Sequence, residues 1–391
     1  MIKKTPHSYI LQLTFLSVLF AFNALTFGQT KPKISKEERK TMLRDTLDGK
    51  FDASVMIDNA KGFLPIPFFV TEAALGGFGA GLAPVYISPQ KKTIGDKDHI
   101  APTVTAAFGA YTANKSWFTG LYRKEIIAKY GIKYRVFLGY VDYNLTYYKE
   151  FENGTDHEFD FNYKTIPIML SVSRKTFSDL YAGLEYFNGN MTISPNFDNE
   201  LPPNITTDDF KKTVASLGGY LDWDRRNTIF TPDKGFRANL AYYVNDDWTG
   251  SDYKFEKLET FVHYFFPVNN KWISGLRFEA LQAYGDVPFH QMPYIKLRGI
   301  TAYRYQGNAT LLTETEQRFD LDTRWSVLAY GGLGKVFQKN ENFSDAKTVY
   351  NYGTGFRYLV ARTYGLRAGI DVAKGPDSWG YYIVFGHKWN R

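Results

Sequence analysis

The sequence predicts an all-β fold, a transmembrane antiparallel β-barrel whose segmentation gives sixteen strands. Three observations predict it. From Gly62 onward the chain breaks into segments of about ten residues in which apolar and polar residues alternate, the length and period of a strand crossing a bilayer. Aromatic residues make up 17% of the 391 residues, with 33 glycines beside them, and this suits many aromatic-rich strands better than helices. The connections divide into mostly short turns, "ANKS", "TPDKG", "VNNK", "LDTR" and "ART", and longer loops such as "SPQKKTIGDKDHI" and "SPNFDNELPPNITTDDFKK". That division matches periplasmic turns and external loops.

In chain order, Lys3 and Lys4 precede the apolar run "YILQLTFLSVLFAFNALTFG", and the small residues Thr26 and Gly28 stand ahead of Gln29. Residues 1–28 therefore read as a cleaved export signal rather than an anchor. Residues 29–61 are polar and read as a periplasmic linker with one short helix at "KEERKTMLRDTL". Lys31–Asp48 is the stretch that would serve if part of the linker docks as a peptide. Residues 62–391 form the barrel.

Alternation fixes which side chains face lipid. From Ser216, Leu217, Leu221 and Trp223 alternate with Tyr220, Asp222 and Asp224; from Gly235, Phe236, Ala238, Leu240 and Tyr242 alternate with Arg237, Asn239 and Ala241. From Arg362, Tyr364, Leu366, Ala368, Ile370 and Val372 alternate with Thr363, Gly365, Arg367, Gly369 and Asp371. "DFNYKTIPIMLSVSRK" reads as one long strand or two, and an even strand count prefers two. In the closing "GYYIVFGHKWNR", Tyr381, Ile383, Phe385 and Trp389 share a face. Beginning at Glu314, "ETEQRFDLDTR" places Glu314, Glu316, Arg318 and Asp320 on one side of a strand, with Asp322 next on that side or already in the turn. Lipid rejects such a face, since a midplane Arg or Lys costs roughly 2–4 kcal/mol, so the ladder points into the lumen with Arg277, Glu279 and Arg357.

The same reading excludes most chemistry. With no cysteine, disulfides, thiolate metal sites and a cysteine nucleophile are absent. The net charge of +7 is partly N-terminal, and no zinc spacing or recognition-helix pattern accompanies it, so no nucleic-acid partner is expected. "GGFGAG" at Gly76 lacks the helix and Lys-Ser/Thr of a phosphate loop, and Val336 stands where "GGLGKV" would need Ser or Thr. Asp222, Asp224 and Arg225 read as a lumenal ion-pair network rather than an acid/base pair. No HExxH or GxSxG occurs. The chain is expected to be no enzyme and to need no cofactor or metal.

One stretch breaks the alternation: "KLRGITAYRYQG" from Lys296, on the long connection before the charged ladder. Folded inward, Arg298 would meet a carboxylate-rich wall, and Gly299 would permit a sharp turn. "LRGITAYRYQG" resembles the inward-folded loop of the BamA/TamA family of outer-membrane barrels, the bacterial surface antigen family. Further matches follow in order: "GFLPIPFFVTEAALGGFGAGL" resembles the first barrel strand, "NKSWFTGLY" an early hairpin, "LDWDRRNTIFTPDKG" a characteristic strand and turn, "TEQRF" the strand after the loop, and "GLRAGIDVAKGPDSWGYYIVFG" the last hairpin.

The resemblance implies a loop between strands 11 and 12 with Arg298, Gly299 and Ile300 at its tip, and Glu316 as lumenal partner. Gly332 stands in "YGGLG" where the family often has the aspartate that receives this arginine, so Glu314, Glu316 or Asp320 is expected to substitute, within a ladder that includes Arg318. It also implies a lateral seam between first and last strands, lined by Gly76, Gly77, Gly79 and Gly81 on one side and Tyr381, Ile383 and Phe385 on the other. The implied function is insertion or translocation of outer-membrane or surface proteins; the alternative from the charged lumen is a passive pore. The expected partners are outer-membrane lipids, client polypeptides, and a periplasmic protein or lipoprotein in place of the family's POTRA domains.

Overall fold

The computed structural model describes residues 41–58, 63–88, 103–150, 156–197, 201 and 210–390. The expected export signal lies outside the described residues. The strands are β1 (Phe63–Val70), β2 (Gly79–Ser88), β3 (Thr103–Thr112), β4 (Trp117–Ile127), β5 (Ile132–Glu150), β6 (Asp156–Lys175), β7 (Leu180–Pro195) and β8 (Lys211–Asp224). They continue as β9 (Gly235–Asn245), β10 (Phe255–Asn269), β11 (Trp272–Gly285), β12 (Ala309–Asp320), β13 (Trp325–Phe337), β14 (Lys347–Ala361), β15 (Leu366–Lys374) and β16 (Trp379–Phe385). All sixteen form one antiparallel sheet in chain order, curled into a nearly closed barrel. Among the described residues no ladder joins β1 to β16.

The side chains divide as alternation requires. Leu221, Leu240, Tyr242, Val262, Tyr264, Leu276 and Phe278 are exposed on the outer wall, whereas Tyr220, Asp222, Ala241, His263, Arg277 and Glu279, on the same strands, are buried. Lipid favours the first set, and the lumen holds the second by pairing its charges.

Three expectations about segmentation need correction. "DFNYKTIPIMLSVSRK" is a single strand, β6, of 20 residues. Its ladder with β5 skips the pairs around Ile166 and Pro167 and then resumes in the same register, because a missing N–H interrupts pairing locally without ending the strand. The count of sixteen survives because "GFLPIPFFVTEAALGGFGAGL" supplies two strands, β1 and β2. One connection also changes ends: "ANKS" joins β3 to β4 on the long-loop side, whereas nearly all of "SPQKKTIGDKDHI" lies outside the described residues. Strand parity, not loop length, decides the end.

Residues 41–58 lie against the short-turn end of the barrel. The helix α1 (Ser54–Asp58) follows a chain reversal bridged by Arg44 and Phe51, and Ala53 N donates to Val360 O at 2.7 Å.

Candidate functional site

The connection between β11 and β12 enters the lumen. Phe289 anchors its start among Phe159, Phe161 and Ile193, and its middle packs Ile295, Leu297, Ile300 and Tyr305 against Leu312, Val336 and Val349. Two glycines of β13 make the room. A Cβ on Gly334 would stand 2.8 Å from Ile295 Cδ1, and one on Gly332 3.0 Å from Leu297 Cδ2.

This buried chain delivers Arg298 to the wall. Its Nη2 lies 2.9 Å from Glu314 Oε1, and its Nη1 donates to Glu316 at 2.8 Å and Asp371 at 3.0 Å. The guanidinium stacks on Tyr330, 3.3 Å from the ring centroid. Arg277 donates to Glu279 at 2.7 Å and to Glu314 at 2.9 Å, and Arg357 donates to Asp371 at 3.0 Å. Four carboxylates and three guanidiniums thus share one water-poor cluster.

Glu314 and Glu316 receive Arg298, but Asp320 does not: it pairs with Arg318 at 3.0 Å, while Arg318 also reaches Asp233. A third acid, not among those expected, joins the two glutamates on Arg298: Asp371 on β15. Its inward parity was visible in the sequence, but its distance from Arg298 along the chain gave no reason to join them.

Gly299 has φ +80°, and a Cβ there would fall 2.7 Å from Gly375 N. Only glycine fits both the backbone and the approach. Gly299 N donates to the Tyr382 hydroxyl at 2.8 Å, Ser378 Oγ donates to Gly299 O at 3.0 Å, and Tyr305 and Arg304 reach Asp377. The loop tip is therefore fastened to the β15–β16 hairpin. Toward β1 it makes one described bond, Ala302 N donating to Glu72 at 3.2 Å.

The chain's end supplies a second plug that alternation misplaced. Trp389 does not share the lipid face of Tyr381, Ile383 and Phe385, because β16 stops at Phe385 and Gly386, with φ +81°, turns the tail inward. Trp389 is 3% exposed and its Nε1 donates to Glu314 at 2.6 Å; His387 Nε2 lies 3.1 Å from Glu316 Oε1. Loop and tail enter from opposite ends and meet on the same two carboxylates. Trp389→Ala should lower stability by about 3–5 kcal/mol, read as the temperature at which the folded band disappears in unheated-sample gel electrophoresis. Were the tryptophan on the lipid face, the loss would be well below this.

The seam also differs from expectation. Gly76 and Gly77 lie in the β1–β2 turn, and Gly79 and Gly81 lie on β2, so none belongs to the first strand. They permit the turn (φ +84° and +75°) and close β2–β3 packing, where a Cβ on Gly79 would meet Tyr111 O at 2.8 Å. The seam is flanked by β1 itself and by Tyr381, Ile383 and Phe385 of β16. Asp222 is paired inside the wall with Arg237 at 2.9 Å and Lys133 at 3.3 Å; Asp224 pairs with Arg226, and Arg225 with Asp179.

At the short-turn end, fully buried Arg324 donates to Asp48 and Asp52, each at 2.7 Å, and to Asp45. Arg362 donates to Asp45 at 2.6 Å. The Arg324 bond holds Asp48 down to about 2, against the opposing effect of burial. Arg362 and the Leu47 amide hold Asp45 below the ordinary value; burial would raise Asp52, but bonds from Ser54 and Arg324 outweigh it. Among the described residues no cluster suited to a metal occurs.

The Omp85 superfamily domain model matches residues 111–362, which carry the charged ladder, the inward loop and β13. The chain belongs to the Omp85 superfamily. This Omp85 barrel has the fold of two solved structures. One is BamA from Haemophilus ducreyi lacking POTRA domains 1–3 (TM-score 0.56, 14% identity, 83% of this chain and 69% of that one). The other is CdiB from Escherichia coli (TM-score 0.56, 12% identity, 82% of this chain and 62% of that one). No curated protein matches in sequence. The chain is thus an Omp85-type outer-membrane barrel, and the cluster around Arg298 is the internal lock of its loop.

Proposed function

We propose that this barrel inserts or translocates outer-membrane or surface polypeptides through its β1–β16 seam. The observation that carries the reading is that, among the described residues, no ladder joins β1 to β16 while an ion-paired loop and tail occupy the lumen. A filled lumen offers a small solute no advantage, whereas an unpaired seam offers an extended polypeptide backbone partners. Omp85 membership and the likeness to BamA and CdiB support this direction. The chain would reach the outer membrane of a Gram-negative cell after loss of residues 1–28. There a periplasmic protein or lipoprotein would supply client capture. No covalent chemistry, cofactor or nucleic acid enters the reading.

The test is the quantitative outer-membrane proteome after depletion of this protein, scored beside growth on small solutes. A fall in a defined set of barrel or surface proteins is expected, and that set names the clients. A constant proteome with impaired solute uptake would overturn the reading in favour of a pore.

A further inference from the structure

The two edges of the seam are chemically unequal. β1 pairs with β2 through eight consecutive residues, and in that register Pro65 stands opposite Pro84. Two prolines cannot exchange N–H···O bonds, so this is a non-hydrogen-bonded pair. The bonded pairs are therefore Leu64, Ile66, Phe68 and Val70 with their partners, and the backbone polar groups of Phe63, Pro65, Pro67 and Phe69 point into the seam. The other side of β2 agrees: Ala113 N donates to Phe78 O, which by alternation turns Pro84 toward β3, and the β2–β3 ladder lapses at Ala83 and Pro84. The β1 edge thus carries N–H donors only at Phe63 and Phe69.

The β16 edge is complete. Gly375 N donates to Ser378 O, and Gly386 N donates to Arg367 O, in one continuous register. Gly380, Tyr382 and Val384 therefore bond to β15, leaving the N–H and C=O groups of Trp379, Tyr381, Ile383 and Phe385 turned to the seam. The same strand is held from inside by the Gly299–Tyr382 bond and by the buried tail. The side chains of Trp379, Tyr381 and Phe385 face outward, at 56%, 61% and 56% exposure.

We propose that β16 is the strand-accepting edge of this barrel and that β1 is closed to strand addition by Pro65 and Pro67. The occupant is an extended client segment, free of proline and apolar at alternate positions, lying antiparallel on β16. At membrane depth its N–H and C=O groups complete a ladder that β1 cannot, and its apolar side chains continue the outer aromatic surface. The inference deepens the function proposed above and rests on it for the client's identity, but the pairing is measured on the purified protein alone.

The probe is an eight-residue peptide copying residues 63–70 with Pro65→Thr, Pro67→Thr and Ile66→Cys. The full chain has no cysteine, so Ile383→Cys on β16 and Phe69→Cys on β1 are unique trapping sites in nanodiscs. Disulfide trapping at Ile383→Cys should exceed that at Phe69→Cys by at least about tenfold, the ratio for one to two net hydrogen bonds. The same peptide with both prolines restored should be trapped at neither. Placing Pro65→Thr and Pro67→Thr in the protein should let β1 compete for β16 and reduce the trapping. Equal trapping on both edges, none at Ile383→Cys, or trapping unchanged by the protein's own threonines would each overturn the proposal. A client set found by depletion would stand even then, so the two readings fail separately.

Discussion

Arg298→Ala is expected to lower the stability of the folded barrel by about 3–5 kcal/mol, the cost of removing one partner from a buried, hydrogen-bonded ion cluster. Glu314, Glu316 and Asp371 all accept from Arg298, and Glu314 and Asp371 are 1% and 0% exposed. Arg277 and Arg357 remain on Glu314 and Asp371, but they already make those bonds, and among the described bonds neither reaches Glu316. The loss should appear as a lower melting point of the folded gel band, with proteolysis inside residues 286–308. Arg298→Lys should recover little, since one ammonium cannot span three carboxylates and stack on Tyr330. The freed loop should also raise single-channel conductance in planar bilayers. A variant that keeps both wild-type melting and conductance would show that the packing of Ile295, Leu297 and Ile300 holds the loop without its arginine.

Arg324→Ala should release residues 41–58 from the barrel, reducing their hydrogen-exchange protection by at least about tenfold, as expected when several charge-assisted bonds are lost together. The fully buried guanidinium acts as the internal counter-ion of Asp45, Asp48 and Asp52, and among the described residues no other cation reaches all three. The contact should also respond to acid. Asp48 has a folded value of about 2 against an ordinary 3.8, and Asp45 and Asp52 are lowered as well. A depressed folded value contributes stability fully above the unfolded one and loses it as pH falls through the folded one. Docking should therefore be unchanged from neutral pH to about 4 and fail toward pH 2. Release near pH 6 would assign the contact to other groups.

The docked segment and the seam are linked through the chain. Asp52 and Ser54 bond to the β14–β15 turn at Arg362 and Thr363, and β1 begins at Phe63. The lead-in to β1 is therefore tied to the wall on the β16 side at the short-turn end, and the loop tip touches both walls at the other, through Glu72 and Tyr382. Among the described residues, bonds near its two ends rather than a ladder connect the walls of this seam.

Much of this was legible in the sequence. Lipid imposes a period of two, so the inward places of Glu314, Glu316, Arg318, Arg357 and Asp371 follow from alternation alone, as does the barrel. The break at "KLRGITAYRYQG" marked the loop, because a stretch that serves neither lipid nor lumen in turn belongs to neither wall. Pro65 and Pro67 could also have been read as features of a blunted edge, but only once β1 was known to be the first strand.

The tertiary structure decided the rest. Asp371 rather than Asp320 receives Arg298, because barrel closure brings β15 beside the loop tip while Arg318 engages Asp320 first. Gly386 turns Trp389 into the lumen at the point where the alternating strand ends, and Asp45, Asp48 and Asp52 meet Arg324 across more than 270 residues of chain. Local patterning states which face a side chain prefers. Which distant charge it meets there is set by register and closure, and no local pattern encodes these.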